Sequence, residues 1–487
     1  MAALEQYKWM PITCFVVAFF TAFGMGANDV SNSFATAVGS KALTMKQACM
    51  IAAVMEFSGS FLLGGNVAST IMKGITEPKY FADEPQVLMF GMVCVLFSVA
   101  VWLILATMKG LPVSTTHSCI GGIIGMTVVC KGFKAVNWKG IGMVFSSWII
   151  APVVSGLLST FLFVVVRKTI LRAANSLQRA FKSYSPIVGF TIGFNIFLIL
   201  YNSESLGINL PIHTSALICL GIAITVALVI RFTALPYIRR HVEAEGRIAE
   251  SRVGLLSEMD DVMDISKNGG MIQMVEKSGD LLVEKQVPES VMNDTTLVAD
   301  VKNDATVEEM HKNAEQFDPA TEKLFSYLQV ITAVFNSFAH GANDVSNSIG
   351  PLAACLTIYE TGDVMQQAKV PPIALVIGGV GLVVGLVCLG YKVMASMGVN
   401  MVTVTPSRGF TIELGAALII LMGSAFGIPL STTHCKVGST VGVGIAEGKN
   451  GVNWKLLYGV FAGWIVTLVI CALTTGLLFA VVVRFIE

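Results

Sequence analysis

The chain has 487 residues, 54% hydrophobic and only 13% charged, with a mean hydropathy of +0.72. Soluble domains run near a quarter charged, so these figures exclude an ordinary soluble protein. The net charge of zero leaves no basic footprint for nucleic acid.

The expected fold class is an all-α integral membrane protein. Apolar stretches long enough to approach the roughly 30 Å of a bilayer's hydrocarbon begin at 9–35, 45–68, 88–108, 112–130, 141–166, 187–202 and 212–234. They resume at 326–350, 371–395, 409–426, 429–446 and 456–485, giving about twelve transmembrane segments. The first run, Trp9–Phe23, lacks an A-x-A cleavage signature and reads as a retained span. Ten scattered cysteines without a CxxC pair predict reduced core residues rather than a disulfide frame or a zinc site.

Three parts follow from this pattern. Residues 1–235 form an N-terminal membrane repeat plus extra spans, 236–324 a loop, and 325–487 a C-terminal membrane repeat. The stretch 235–325 holds 19 of the 32 acids and 10 of the 32 bases. With so little apolar surface the loop is expected to be mostly disordered. Arg167, Lys168, Arg172, Arg179 and Lys182 lie after the fifth run, and Arg231, Arg239 and Arg240 open the loop. Basic residues collect on the cytoplasmic side, which puts the loop there and the N-terminus outside. Lys131, Lys134 and Lys139 then fall outside, against the rule.

Three signatures recur in the same order. Gly26–Ser33 and Gly341–Ser348 are both Gly-Ala-Asn-Asp-Val-Ser-Asn-Ser. Pro112–His117 matches Pro429–His434 as Pro-x-Ser-Thr-Thr-His, and Val136–Lys139 matches Val452–Lys455 as Val-Asn-Trp-Lys. The first two signatures are 86 residues apart in one half and 88 in the other, so the chain is a duplication. An odd number of crossings between the octapeptides predicts inverted-topology repeats, and a helix-breaking Gly at the start of each octapeptide predicts broken or re-entrant helices at the midplane.

The residue types in these signatures suggest ions. Asn28, Asp29 and Asn32, and their counterparts Asn343, Asp344 and Asn347, offer hard oxygen atoms suited to a cation such as sodium. Hydrogen bonding between helices would account for Asn and Ser, but carboxylates in both copies point to binding. Ser114, Thr115 and Thr116, and Ser431, Thr432 and Thr433, place hydroxyls at helix starts, where anions bind. Asp29 and Asp344 would hold cations while the Ser-Thr-Thr donors hold the anion, phosphate or sulfate, so that the anion site is repulsive until cations arrive. Glu56 and Glu413 interrupt apolar runs and are added as cation ligands; by the octapeptide offset Glu56 would map near Pro371. His340 stands where the first half has Met25, which suits a pH or coupling role as well as a structural one.

The paired octapeptides, the paired Pro-x-Ser-Thr-Thr-His elements and Gly409-Phe-Thr-Ile-Glu-Leu resemble the PiT family of inorganic phosphate transporters. The resemblance covers roughly 9–235 and 325–485. It implies phosphate import by symport with sodium, or with protons in some members, through a twelve-helix inverted repeat. Family ligands would map onto the Asn, Asp, Ser and Thr positions above, functional acids onto Glu56 and Glu413, and a histidine onto His340. Ser31 and Ser346 stand where many members have alanine. A plasma-membrane location, the lipid bilayer as surroundings and no cofactor beyond the transported sodium follow from the same reading, with a homodimer left open. Two rivals are an anion channel, which has no need for paired buried acids, and a hydrolase using Ser114 with His117 or Ser431 with His434, which lacks a third orienting group.

Overall fold

The computed structural model describes residues 2–201, 210–244, 305–364, 370–397, 400–448 and 450–485. Residues 245–304, most of the expected disordered loop, lie outside the described residues. The first half consists of α1 (Trp9–Gly39), α2 (Met45–Gly74), α3 (Pro85–Met108), α4 (Thr115–Lys131) and α5 (Trp138–Val166). α6 (Ser176–Tyr201) and α7 (Ile212–Phe232) follow as an outlying pair. After α8 (Ala305–Asn313) the pattern returns as α9 (Pro319–Asp344), α10 (Ser346–Thr361), α11 (Pro372–Leu389), α12 (Tyr391–Met397), α13 (Pro406–Ala425), α14 (Thr432–Ala446) and α15 (Trp454–Val482). α9 therefore starts inside the stretch assigned to the loop.

Among the described residues nine helices are long and apolar enough to cross a membrane. Three expected segments fall outside that set. α4 and α14 have 17 and 15 residues, about 26 and 23 Å at 1.5 Å per residue. The third is the polar α9–α10 pair, interrupted at Val345.

The repeated signatures set the helix starts. Ser114 and Ser431 cap α4 and α14, each accepting from the backbone N–H three residues on, at 3.3 Å. Gly110 and Gly427, at φ +67° and +65°, make the matching left-handed turns just upstream. The Val-Asn-Trp-Lys copies are caps as well: Asn137 accepts from Gly140 N and Asn453 from Leu456 N.

The two halves are interlocked rather than side by side. α1 packs on α11 and α9 on α2, while α4 packs on α15 and α14 on α5. Individual contacts repeat with the partners exchanged. A Cβ added at Gly59 would lie 2.0 Å from Phe338 O, and one at Gly385 1.8 Å from Phe23 O. One at Gly125 would lie 2.0 Å from Ala472 O, and one at Gly442 2.4 Å from Gly156 O. Such approach needs residues without a side chain, the small-residue packing common between membrane helices. The octapeptide helices meet antiparallel: Asn336 Nδ2 donates to Asn32 O at 3.1 Å, and Ser40 Oγ to Gln329 Oε1 at 2.6 Å, so residue numbers rise on α1 as they fall on α9.

Two sequence expectations are corrected. The octapeptide glycines do not break their helices: α1 runs through Gly26–Ser33 without interruption, and the second copy breaks only at Val345. Gly26 and Gly341 instead admit a neighbouring backbone, since their Cβ atoms would fall 1.9 Å from Leu382 O and 2.2 Å from Glu56 O. The same exchanged pair makes Leu382, not Pro371, the counterpart of Glu56, because the second half has a longer stretch before α11 than the first half has before α2. There α10 runs to Thr361 and α11 starts at Pro372, whereas α1 ends at Gly39 and α2 starts at Met45.

Polarity is inverted relative to a soluble protein. Ile149, Leu157, Leu473 and Leu477 are 67–70% exposed on the outer faces of α5 and α15, while Asp29, Glu56, His340, Asp344, Glu413 and Lys436 are buried. An apolar belt around a polar interior is the arrangement of a membrane protein.

At one end the segment between α8 and α9 is tied to the transmembrane core. Arg172 donates to both Glu315 oxygens at 2.8 and 2.9 Å, and Arg408 Nη2 to Glu315 O at 2.7 Å. The Arg172 guanidinium holds the Glu315 carboxyl below its usual range. A depressed folded value stabilises above the ordinary carboxylate range and is lost as pH falls through the lower value. Glu315→Gln should therefore lower the melting temperature slightly at neutral pH, and the difference from wild type should fade in acid. An unchanged difference across that range would remove Glu315 from the linkage.

Candidate substrate site

Asp29 and Asp344 come from opposite halves and meet beside His340. One ligand atom from each of the three lies within 4.8 Å of the other two. Asp29 Oδ1 accepts from Asn32 Nδ2 at 2.9 Å and from Thr433 Oγ1 at 3.2 Å. Asp344 Oδ2 accepts from Thr432 Oγ1 at 2.7 Å and Oδ1 from Asn343 Nδ2 at 2.8 Å. Asn32 Nδ2 reaches Thr433 Oγ1 at 3.1 Å, and its counterpart Asn347 reaches Thr115 and Thr116 at 3.5 and 3.4 Å. Each octapeptide thus faces the Ser-Thr-Thr element of the other half, and the second faces its own as well. Ser114 and Ser431 touch, Oγ to Oγ at 2.9 Å, where the two helix starts converge.

Several acceptors in this region have no hydrogen-bond partner among the described residues: Asp29 Oδ2, Asn32 Oδ1, Asn347 Oδ1 and Asn336 Oδ1. Buried oxygen atoms without donors are costly. A cation satisfies them; a further anion does not.

Not every expected ligand faces this centre. Asn28 is taken up in fastening the approach to α4: its Oδ1 accepts from Val113 N at 3.0 Å and its Nδ2 donates to Thr107 Oγ1 and Leu111 O, both at 3.0 Å. Asn343 mirrors it, accepting from Leu430 N at 3.4 Å and donating to Leu430 O at 2.7 Å. Glu56 is joined to the centre through His340, whose Nδ1 is 2.7 Å from Glu56 Oε2 and whose Nε2 is 3.0 Å from Asp344 Oδ2. Ser337 and Ser33 also donate to Glu56 Oε1, at 3.0 and 3.4 Å. Glu413, on α13, faces α1 further along at Thr36, accepting from Thr36 at 2.5 Å, Thr332 at 2.9 Å and Gln329 at 3.1 Å. It is fully buried.

The hydrolase arrangement is absent. The Ser114 and Ser431 hydroxyls meet the backbone N–H of His117 and His434, while the imidazoles turn away into a stack of four rings. Trp148 lies 3.5 Å from His117, His117 4.7 Å from His434, and His434 3.6 Å from Trp464. The stack spans the seam between halves and braces the two helix starts.

The profile described as "Phosphate transporter family" matches residues 25–475, both halves and the site between them. The chain belongs to the phosphate transporter family. Sodium-dependent phosphate transporter 1 of Rattus norvegicus is 30% identical over 97% of this chain and 95% of its own length. A phosphate-repressible phosphate permease of Neurospora crassa is 29% identical, covering 99% and 98%. A solved structure titled "The sodium-dependent phosphate transporter" superposes with a TM-score of 0.77 at 30% identity, covering 99% of this chain and all of that one. This family member is a membrane transporter, not an enzyme.

Sequence reading missed Lys436, Thr36, Gln329, Thr332, Asn336 and Ser337. A signal existed for α9, where Gln329, Thr332, Asn336, Ser337, His340 and Asp344 recur at three- and four-residue steps and share a helix face. Lys436, in the apolar run after Thr433, was the other visible sign.

Proposed function

We propose that this chain imports inorganic phosphate by symport with sodium, alternating access around one site shared by two inverted repeats. The observation that carries the proposal is the meeting of Asp29 and Asp344 from opposite halves, ringed by hydroxyls and by unpartnered oxygens. Around this centre the buried acids Asp29, Asp344, Glu56 and Glu413 outnumber the buried bases Lys436 and His340. An approaching phosphate meets excess negative charge, and bound cations reverse that repulsion. Cations would take the Asp29, Asp344, Asn32 and Asn347 oxygens. Phosphate would take the hydroxyls and backbone N–H groups where α4 and α14 begin. The reciprocal contacts between the halves support alternating access by rocking of one repeat against the other. The basic residues flanking α6 and α7 support a plasma-membrane orientation with the large loop in the cytoplasm.

Proton coupling is the second reading, favoured by His340 bridging Glu56 and Asp344. Labelled phosphate uptake into proteoliposomes, with sodium and proton gradients imposed separately, distinguishes the two. Sodium-driven accumulation is the expected result. Accumulation driven by protons alone would transfer the assignment, and uptake indifferent to both gradients would end the symport proposal.

A further inference from the structure

Away from the central site, the outlying pair α6 and α7 leaves a basic cleft at its loop-side end. The two helices pack antiparallel: a Cβ added at Gly189 would lie 2.5 Å from Ala223 O, and one at Gly193 2.9 Å from Cys219 O. The same register sets the first turns of α6 beside the last turn of α7. There Phe181 and Lys182 line a cleft of about 600 Å³ with Arg231, Phe232, Leu235 and Arg239. Phe181 and Leu235 are buried and form its floor, while Lys182, Arg231 and Arg239 are exposed.

Lys182 and Arg231 have no acid partner among the described residues. Arg239 Nε donates to Glu243 Oε1 at 2.9 Å, and its guanidinium lies 5.2 Å over the Phe181 ring. Three cations against one carboxylate leave two positive charges uncompensated. Water alone satisfies exposed cations, so charge by itself does not make the cleft a site. Its surroundings do. One wall continues the lipid-facing side of α7, where Leu228 and Val229 are exposed and Phe232 is 74% exposed. Beyond the break at Thr233, a short helix over residues 234–244 turns Leu235, Ile238 and Val242 inward and leaves Tyr237, Arg239 and Arg240 outside. A helix with a buried apolar face and a basic, aromatic outer face suits the polar boundary of a bilayer. The cleft therefore opens where acyl chains end and headgroups begin.

We propose that this cleft binds an anionic phospholipid whose sugar headgroup carries a phosphomonoester. The phosphate lies between Lys182, Arg231 and Arg239, and the acyl chains run along the outer face of α7 past Phe232. A phosphomonoester carries about two negative charges at neutral pH, as the uncompensated pair requires. The volume suits a ligand far larger than a lone ion. A free anion would use the cations alone, whereas a lipid uses the cations and the apolar wall together. The site is separate from the Asp29–Asp344 centre and does not depend on which ion drives transport.

The test is native mass spectrometry of the purified full-length chain, titrated in detergent with phosphatidylinositol 4-phosphate. Wild type should retain this lipid more tightly than phosphatidylinositol, which lacks the monoester. Lys182→Ala with Arg231→Ala should weaken retention roughly thirtyfold, at about 1 kcal/mol per basic residue and 1.4 kcal/mol per decade. Lys182→Ala alone should cost about fivefold by the same measure, which keeps the test open if the double variant does not fold. Lys168→Ala with Arg240→Ala removes equal charge from exposed positions at the same end but outside the cleft, and should bind as wild type. An equal loss in the two alanine pairs would reduce the cleft to general surface attraction and overturn the proposal. Equal retention of the two lipids by wild type would overturn it too. Inorganic phosphate at the lipid's concentration should leave the lipid bound; displacement would make this a free-anion site and end the lipid assignment.

Discussion

Asp29→Asn and Asp344→Asn should each abolish sodium-driven phosphate accumulation while leaving the protein folded. The exchange keeps side-chain shape and one acceptor oxygen, so the bonds from Thr433 to Asp29 and from Thr432 to Asp344 can persist. What is lost is one of the two carboxylate charges that lie within 4.8 Å of each other. Removing one partner from a buried charge interaction costs roughly 3 kcal/mol or more. At 1.4 kcal/mol per decade this is a fall of about a hundredfold in sodium affinity. Proteoliposome uptake against sodium concentration, with a melting curve of the same preparation, measures both parts. Near-normal uptake in either variant would take that carboxylate out of the cation site. Because the two acids come from opposite halves, both variants should fail to a similar degree.

Gly341→Ala and Gly26→Ala should damage folding far more than their size suggests. The added methyl would sit 2.2 Å from Glu56 O and 1.9 Å from Leu382 O, closer than any real carbon–oxygen contact. Both obstacles are backbone, so relief requires α9 to move off α2, or α1 off α11. Overpacking of this kind costs about 1–3 kcal/mol and more where backbone must shift. Gly142→Ala and Gly459→Ala meet nothing within 4 Å and sit in helices, so they serve as controls. They should be neutral or slightly stabilising, since alanine favours a helix by about 1 kcal/mol over glycine. Thermal unfolding in detergent separates the two groups. If Gly341→Ala melts with the controls, the close α9–α2 approach is not what the glycine is for. The displaced backbone belongs to Glu56, so Gly341→Ala should also disturb the His340 bridge and weaken uptake in whatever fraction folds.

Much of the site was legible in the sequence because duplication marks it twice. Asp29, Asp344 and the Ser-Thr-Thr runs announced themselves by exact repetition inside apolar sequence. The same signal misled where it was read too literally. Asn28 and Asn343 repeat faithfully, yet they repeat as fasteners of the turns before α4 and α14. The glycines repeat as contact points rather than breaks. Repetition reports that a residue is needed; it does not say whether the need is a ligand, a cap or a close approach.

The sequence by itself determined the class of molecule, the two halves and the residue types of the shared site. Those follow from hydropathy, from the expense of burying Asp and Asn in lipid, and from the repeat. Only the tertiary structure decided the pairings. That Thr433 serves Asp29 across 404 residues, that His340 joins Glu56 to Asp344, and that Lys436 meets Glu413 through Thr36 all depend on crossing helices from opposite halves. The physical reason is that partners on different helices share no periodicity. Apart from His340 and Asp344, one turn apart on α9, each of these partners lies on a different helix, and their meeting is fixed by where small residues allow two backbones to touch. The departures from symmetry could be weighed only once the counterpart of each residue was known, which needed the exchanged contacts rather than a single offset along the chain.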